Sequence, residues 1–216
     1  MICESVNEKV VNEYKIENVI PVFKPIYTIV KKSFDLVFSL VALVLLFLPM
    51  IIVAVLVKID SPGPVIFKQA RVGKNGKTFV MYKFRTMYID AEIDGPKWAD
   101  DNDTRCTRVG RFLRRVRLDE LPQFINVLKG DMSIVGPRPE RQCFYDLFEN
   151  YIHGFSYRTN VKPGITGWAQ VNGGYDLKPE EKILYDMEYI KNRSLLLDFK
   201  CIFLTFKVVF TRDGSR

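Results

Sequence analysis

The sequence predicts a mostly helical α+β chain in which one apolar membrane helix is followed by a basic, polar domain carrying a small β-hairpin. Three observations predict it. Residues 36–57 run for 22 positions without a charge, interrupted only by Ser39 and Pro49. Downstream, two β-rich stretches flank the turn Gly73-Lys74-Asn75-Gly76. Most of the remaining chain shows apolar residues at helical spacing.

Residues 1–30 read as an N-terminal arm, a short helix or a loose lead. Glu4, Glu8, Glu13 and Glu17 face only three lysines there, and Pro21 and Pro25 break any long helix. The apolar core starts too late, with no small-residue cleavage site, for a signal peptide. Residues 31–58 form the membrane helix. At 1.5 Å per residue, a continuous helix over the chargeless run is roughly 33 Å long, enough for a bilayer core. It lacks the polar face of a solvated helix. Pro49 removes one hydrogen bond and clashes with the carbonyl of Leu45, at about 3 kcal/mol unless the chain bends there. Lys31 and Lys32 precede the run, and Lys58, Lys68, Arg71, Lys74 and Lys77 follow it. Positive charge on both flanks orients no span, so the residues leave open a kinked span and a helix that enters and returns.

Residues 59–216 form the polar domain, with 26 basic against 20 acidic residues. Ser61-Pro62-Gly63-Pro64 ends the apolar segment. Strands are expected at 65–68 and 78–84, an acidic loop at 88–104, and helices at 108–116, 123–128, 140–151 and 179–192. Residues 195–210 are strongly apolar, but Asp198, Lys200 and Lys207 interrupt them. That pattern suits a C-terminal helix lying in the membrane interface.

Composition bounds the function. The 216 residues are 48% hydrophobic and 13% aromatic, enough to bury a core, which excludes disorder as the main state. A mean hydropathy of zero excludes several spans. The formal charge of +7 favours an anionic partner: nucleic acid, acidic lipid or a phosphate-bearing substrate. Four dispersed cysteines without a CxxC spacing suggest a reducing compartment, with neither a disulfide framework nor a zinc site. A single histidine, His153, argues against a His-based triad.

Chemistry concentrates in a few blocks. Residues 105–117 hold six arginines and no acid, followed at once by Asp119 and Glu120. A guanidinium face suits phosphate, which accepts bidentate hydrogen bonds. Paired carboxylates beside it could hold a divalent metal on a diphosphate or supply a nucleophile. Gly136-Pro137-Arg138-Pro139 is a stiff loop presenting one arginine. Lys83 and Arg85 share one face of a strand by period two. In Pro163-Gly164-Ile165-Thr166-Gly167-Trp168 the glycines permit unusual backbone angles. No basic-aromatic nucleic-acid module accompanies the charge.

Taken together these blocks resemble the bacterial sugar transferase family, the monotopic phosphoglycosyl transferases. The resemblance rests on KKSFD (31–35), SPGPVIFKQARVGKNGKTF (61–79), YKFRTM (82–87), RLDELPQFINVLKGDMSIVGPRPE (117–140) and VKPGITGWAQVNG (161–173), all in order. It implies transfer of a sugar 1-phosphate from a UDP-sugar to undecaprenyl phosphate, through a covalent carboxylate–phosphosugar intermediate and with Mg²⁺. Asp119 would be the nucleophile and Glu120 its dyad partner, both also placed at the metal. Lys83, Arg85, Arg114, Arg138 and Lys162 would bind substrate phosphate. The resemblance also implies a re-entrant helix kinked at Pro49, both ends on the cytoplasmic face of a bacterial membrane, in a minimal catalytic form of the family. The expected partners are a UDP-sugar, undecaprenyl phosphate and membrane lipids, with a homodimer left open and no nucleic acid. Against this stands a non-catalytic anionic-lipid binder, which would need the charge but not the paired carboxylates.

Overall fold

A computed structural model describes residues 14–93, 95, 103–173 and 177–211, with side chains through 208. The first part of the predicted arm and the middle of the predicted acidic loop lie outside these residues. The chain opens on an extended strap that includes strand β1 (Tyr14–Lys15). Pro25 then starts a helix instead of breaking one. It occupies the first turn of α1 (Pro25–Leu45), where its missing N–H would be unpaired anyway and its fixed φ suits the helix.

Helix α2 (Phe47–Asp60) follows after a single residue, at a bend of 63°. The break falls at Leu46, three residues before the proline that the sequence marks as the kink. Pro49 sits in the first turn of α2. It has no N–H for the Leu45 carbonyl and its ring displaces that carbonyl, so α1 stops at Leu45. The ladder resumes when the Met50 N–H donates to the Leu46 carbonyl at 2.8 Å. Apolar side chains of the pair face outward, Val37, Leu45, Leu48 and Ile52 being more than half exposed. So extensive an apolar surface requires a non-aqueous partner. Among the described residues no single helix is long and apolar enough to cross a membrane, whereas the bent pair passes that test together.

A hairpin comes next: β2 (Ile66–Val72) and β3 (Thr78–Phe84) pair antiparallel, with Phe67 opposite Lys83. β2 runs four residues beyond its expected end because it pairs along the full length of β3. Helices α3 (Arg108–Arg115) and α4 (Gln123–Lys129) lie close to their predicted bounds. Between β4 (Ser133–Val135) and α5 (Gln142–Glu149) runs the Gly136-Pro137-Arg138-Pro139 loop. β5 (Ile152–His153) pairs in parallel with β1, and β6 (Gly164–Thr166) in parallel with β4. Then follow α6 (Trp168–Asn172), α7 (Pro179–Asn192) as predicted, and α8 (Leu195–Thr211). On α8, Leu196, Phe199, Phe203 and Phe206 face outward while Asp198 and Cys201 are buried, an amphipathic division.

The main core gathers Met132, Val135, Ile152, Phe155, Ile183 and Tyr189, among others. A smaller cluster docks Val53 and Val57 of α2 against Phe84 and Leu113. Polar groups fasten the apolar helix pair where it meets the domain. Buried Asp35 of α1 accepts hydrogen bonds from Ser133 Oγ at 2.8 Å and the Ile134 N–H at 3.1 Å. Buried Asp198 of α8 accepts from Tyr27 at 3.0 Å, Lys31 at 3.1 Å and Tyr189 at 2.8 Å. At the other end, Asp60 accepts the Val109 N–H at 3.0 Å, joining α2 to α3.

Removing the Asp35 carboxylate leaves the buried Ile134 N–H without its acceptor and Ser133 Oγ with only the Val135 carbonyl, at 3.0 Å. We expect Asp35→Ala to lower stability by about 2–4 kcal/mol. Asp35→Asn, which keeps an acceptor, should lose less than half as much, both read as thermal midpoints in detergent. Equal midpoints for Asp35→Ala and the parent would show that the helix pair is held by apolar packing alone.

Candidate active site

The chain turns sharply between α3 and α4, and that turn builds the site. Arg117 adopts a left-handed conformation, φ 59°, uncommon for a residue with a β-carbon and concentrated where structure is functionally constrained. It feeds the 3₁₀ turn Leu118–Glu120, whose two acids are both buried. Glu120 sits between two cations: Lys83 Nζ donates to its Oε1 at 3.0 Å, and Arg138 Nη2 to the same oxygen at 2.6 Å. β3, the turn and the Arg138 loop therefore meet on one carboxylate. Burial would raise the Glu120 pKa, but Arg138, Lys83 and Arg117 outweigh it and hold the carboxyl well below the usual range.

Asp119 faces a different environment. Among the described residues none donates a hydrogen bond to its carboxylate. Burial pushes its pKa up and Glu120 adds to this, while Lys83, Arg114 and Arg138 pull the other way; the net direction is upward. Two adjacent acids are thus driven apart, a pattern typical of sites where acid–base roles are divided.

Asp119 lines a cavity of about 440 Å³ that Lys83, Arg85, Arg114 and Arg138 also line. That volume falls within the range of small-molecule sites. Arg71, Arg105, Arg141 and Lys182 add further positive charge to its wall, against Glu92, Asp119 and Glu140 among the described residues. Phe67, Ile89 and Phe144 supply an apolar side. The cavity is built for a polyanion carrying an apolar or aromatic portion.

Local contacts explain how these side chains are aimed. Thr107 caps α3, its Oγ1 accepting the Gly110 N–H at 3.0 Å. Gly110 lies against the Thr86 carbonyl, where a β-carbon would collide with backbone, so the absence of a side chain brings Arg114 to the strand. Asn126, fully buried, takes the Tyr82 N–H at 3.0 Å and donates to the Val80 carbonyl at 2.7 Å. It fastens α4 to β3 beside Lys83. Gly136, Gly164 and Gly167 approach one another through bare backbone, β-carbons at all three meeting main-chain atoms. Close approach, rather than the unusual angles expected from sequence, is what Gly164 and Gly167 supply; Gly167 is extended.

Two of the predicted phosphate ligands are placed differently from the rest. Arg85 lines the cavity, yet its Nη2 is engaged by the end of α2: Ser61 O at 2.6 Å, Ser61 Oγ at 2.9 Å and Val57 O at 3.3 Å. Its Nε and Nη1 are buried without a hydrogen-bond partner among the described residues. Lys162 does not join the cluster. Its backbone packs on Gly136, but its Nζ lies over Gly130 with Asp35 and Asp131 as electrostatic partners, and burial holds it below the usual lysine range. The arginine run also divides: Arg105 and Arg114 turn to the cavity, whereas Arg108, Arg111 and Arg115 are exposed.

Sequence reasoning missed the support behind the Arg138 loop: Arg71, Glu140, Arg158, Lys182 and Asp186. These residues are scattered over more than a hundred positions and form no motif of their own; only Arg71, in the 61–79 block, and Glu140, the last acid of the 117–140 block, lay within recognised patterns.

The residues fit a divalent cation in one way. Among the described residues no group of three or more His, Cys, Asp or Glu side chains could cage a metal. Glu120 is already neutralised by two cations, leaving Asp119 as the available carboxylate. Magnesium is commonly held by one or two carboxylates together with substrate phosphates, and Asp119 beside a polyanion cavity meets that requirement.

Comparison with known proteins identifies the family. The family model described as bacterial sugar transferase matches residues 26–212. Over 195 residues the chain is 48% identical to a UDP-N-acetylgalactosamine-undecaprenyl-phosphate N-acetylgalactosaminephosphotransferase of Aeromonas hydrophila, covering 89% of this chain and 46% of that protein. A UDP-glucose:undecaprenyl-phosphate glucose-1-phosphate transferase of Escherichia coli is 45% identical, covering 82% and 39%. An undecaprenyl-phosphate galactose phosphotransferase of Salmonella typhimurium is 41% identical, covering 86% and 41%. The chain spans less than half the length of these relatives. With the family model matching nearly its whole length, the chain belongs to the bacterial sugar transferase family.

Proposed function

We propose that the protein transfers a sugar 1-phosphate from a UDP-sugar to undecaprenyl phosphate, giving an undecaprenyl-diphosphate sugar and UMP. The observation that carries this is the pairing of an acid to which no described residue donates a hydrogen bond, Asp119, with a cationic cavity of nucleotide-sugar size. The relatives named for this chemistry support it. They differ in the sugar they carry, so the sugar here is left to experiment.

In the proposed reaction an Asp119 oxygen attacks the sugar-linked phosphorus of the donor. The bond from that phosphorus to the bridging oxygen breaks, and UMP leaves with the bonding electrons. An oxygen of undecaprenyl phosphate then attacks the same phosphorus, the bond to Asp119 breaks, and the carboxylate is restored. Lys83, Arg114 and Arg138 offset the repulsion between carboxylate and diphosphate, the main obstacle to the first step. Glu120 keeps Lys83 and Arg138 in register. Bound with the donor at Asp119, Mg²⁺ would supply further charge neutralisation on the phosphates. The apolar helix pair would seat the domain at the cytoplasmic membrane, entering and leaving on one face, so that the cavity meets the lipid phosphate.

The direct test is UMP release from a panel of UDP-sugars with undecaprenyl phosphate and Mg²⁺. Asp119→Asn should lower turnover by more than about 10³-fold. Its thermal midpoint should equal or exceed the parent's, because the variant removes a buried, unbonded charge. Turnover near the parent rate in Asp119→Asn would sink the covalent mechanism.

Lys83→Met should act in the opposite direction on stability, costing about 3 kcal/mol by leaving Glu120 with one cation fewer, measured by denaturant unfolding. A loss below about 0.5 kcal/mol would show that Arg138 alone suffices. For topology, single cysteines at Lys24 and Lys58, flanking the bent pair, should both resist a membrane-impermeant thiol reagent in intact cells and react after lysis. Labelling of one alone in intact cells would establish a span.

A further inference from the structure

The loop carrying Arg138 is held from behind by two arginines. Arg158 Nη2 donates to the Arg138 carbonyl at 3.0 Å, and Arg71 Nη1 to the Pro139 carbonyl at 3.1 Å. Arg158 belongs to the 3₁₀ turn Phe155–Asn160 and is 1% exposed. Its Nη2 also lies 2.6 Å from Asp186 Oδ2 on α7, and its guanidinium stacks over the Phe155 ring at 4.9 Å. Arg158 does not line the cavity, so any effect on substrate must pass through another residue.

Stability alone does not account for this pair. Desolvating both ions is costly, and apolar side chains of similar volume commonly stabilise as well or better. What a guanidinium supplies here is a hydrogen bond to one particular carbonyl. That carbonyl lies between Pro137 and Pro139, which have no N–H to help fix the loop. Neighbouring loop groups have their own partners: the Gly136 N–H donates to the Thr166 carbonyl at 2.9 Å, and the Pro137 carbonyl accepts from the Gly164 N–H at 2.9 Å. The Arg138 carbonyl is the point that Arg158 secures, at the root of the side chain that reaches Glu120.

We propose that Arg158 is a positioning residue for Arg138: braced by Asp186, it fixes the backbone of the 136–140 loop so that the Arg138 guanidinium stands on Glu120 and over the cavity. Its catalytic consequence rests on the reaction proposed above. The structural half is independent of that reaction. A small misplacement of a charge-bearing group is enough to slow a step that depends on positioning.

Two variants test it. Arg158→Lys keeps the charge beside Asp186 but shortens the reach to the carbonyl. Asp186→Asn keeps Arg158 and loosens its brace. In both, a peptide covering residues 134–142 should exchange amide hydrogen at least about fivefold faster, with the β2–β3 hairpin unchanged. With undecaprenyl phosphate and the sugar nucleotide that the parent uses, kcat for UMP release should fall about tenfold while KM stays within about twofold. In an Arg138→Lys background, adding Arg158→Lys should change kcat by less than about twofold, because its effect passes through Arg138. Equal kcat losses in both backgrounds would overturn the proposal. So would unchanged loop exchange in both variants, or failure of both to fold, which would make Arg158 a folding residue. Should the parent release no UMP from any UDP-sugar, the reaction itself fails, and loop exchange then decides the positioning of Arg138.

Discussion

A buried carboxylate must find cations or lose its charge, and Glu120 finds two, each delivered by a different part of the chain. Lys83 arrives on β3 and Arg138 on the loop after β4, while Glu120 itself comes from the turn after α3. Desolvation makes each partner indispensable, since removing one leaves a charge that the interior cannot solvate. The arrangement also settles its neighbour. With both cations drawn to Glu120, Asp119 keeps its electrostatic benefit from them without their hydrogen bonds, and burial acts on it with less opposition. One acid becomes a structural pivot and the other faces the cavity, from the same turn and nearly the same chemistry.

The apolar helix pair connects to this centre through polar contacts. Arg85, just past the end of β3 and two residues beyond Lys83, grips the carbonyl end of α2 through Val57 and Ser61. Asp60 holds the first turn of α3, the helix that bears Arg114. Asp35 reaches β4, which leads directly into the Arg138 loop. Each principal cation of the site is therefore within a few residues of an attachment to α1 or α2. Apolar packing between Val53, Val57, Phe84 and Leu113 adds area to these contacts, and the hydrogen bonds supply direction.

Features governed by local rules were legible in the sequence. The hairpin followed from its glycine turn, the longer helices from their period, Asp119, Glu120, Lys83 and Arg138 from motifs that keep their order, and Arg114 from the arginine run before them. Effects that depend on distant partners were not. Pro49 was seen, but the break it causes lies at Leu46, because the clash acts one turn back along the helix. Pro25 read as a breaker and starts a helix, since the meaning of a proline depends on its place in the first turn. The β4–β6 and β1–β5 pairs are too short to show any alternation, and their partners are far apart in sequence. Arg85 and Lys162 carry the expected charge, yet one is turned to a helix end and the other to Asp35 and Asp131, which spacing cannot foresee. Asn126 and Arg158 serve backbone groups, and such a role leaves no compositional trace.

The crossing of Gly136, Gly164 and Gly167 has a consequence for how this scaffold can diversify. Where main chain touches main chain, no side chain can be introduced without moving backbone, so the base of the loop that carries Arg138 tolerates no side chain at these glycines. The apolar wall, with Phe67, Ile89 and Phe144, is built from side chains on a strand, a loop and a helix, and can be redrawn one residue at a time. Under the proposed reaction, the placement of Arg138 is thus held by the architecture, while recognition of whatever the phosphate carries falls to side chains free to vary. A library aimed at a new donor belongs on that apolar wall.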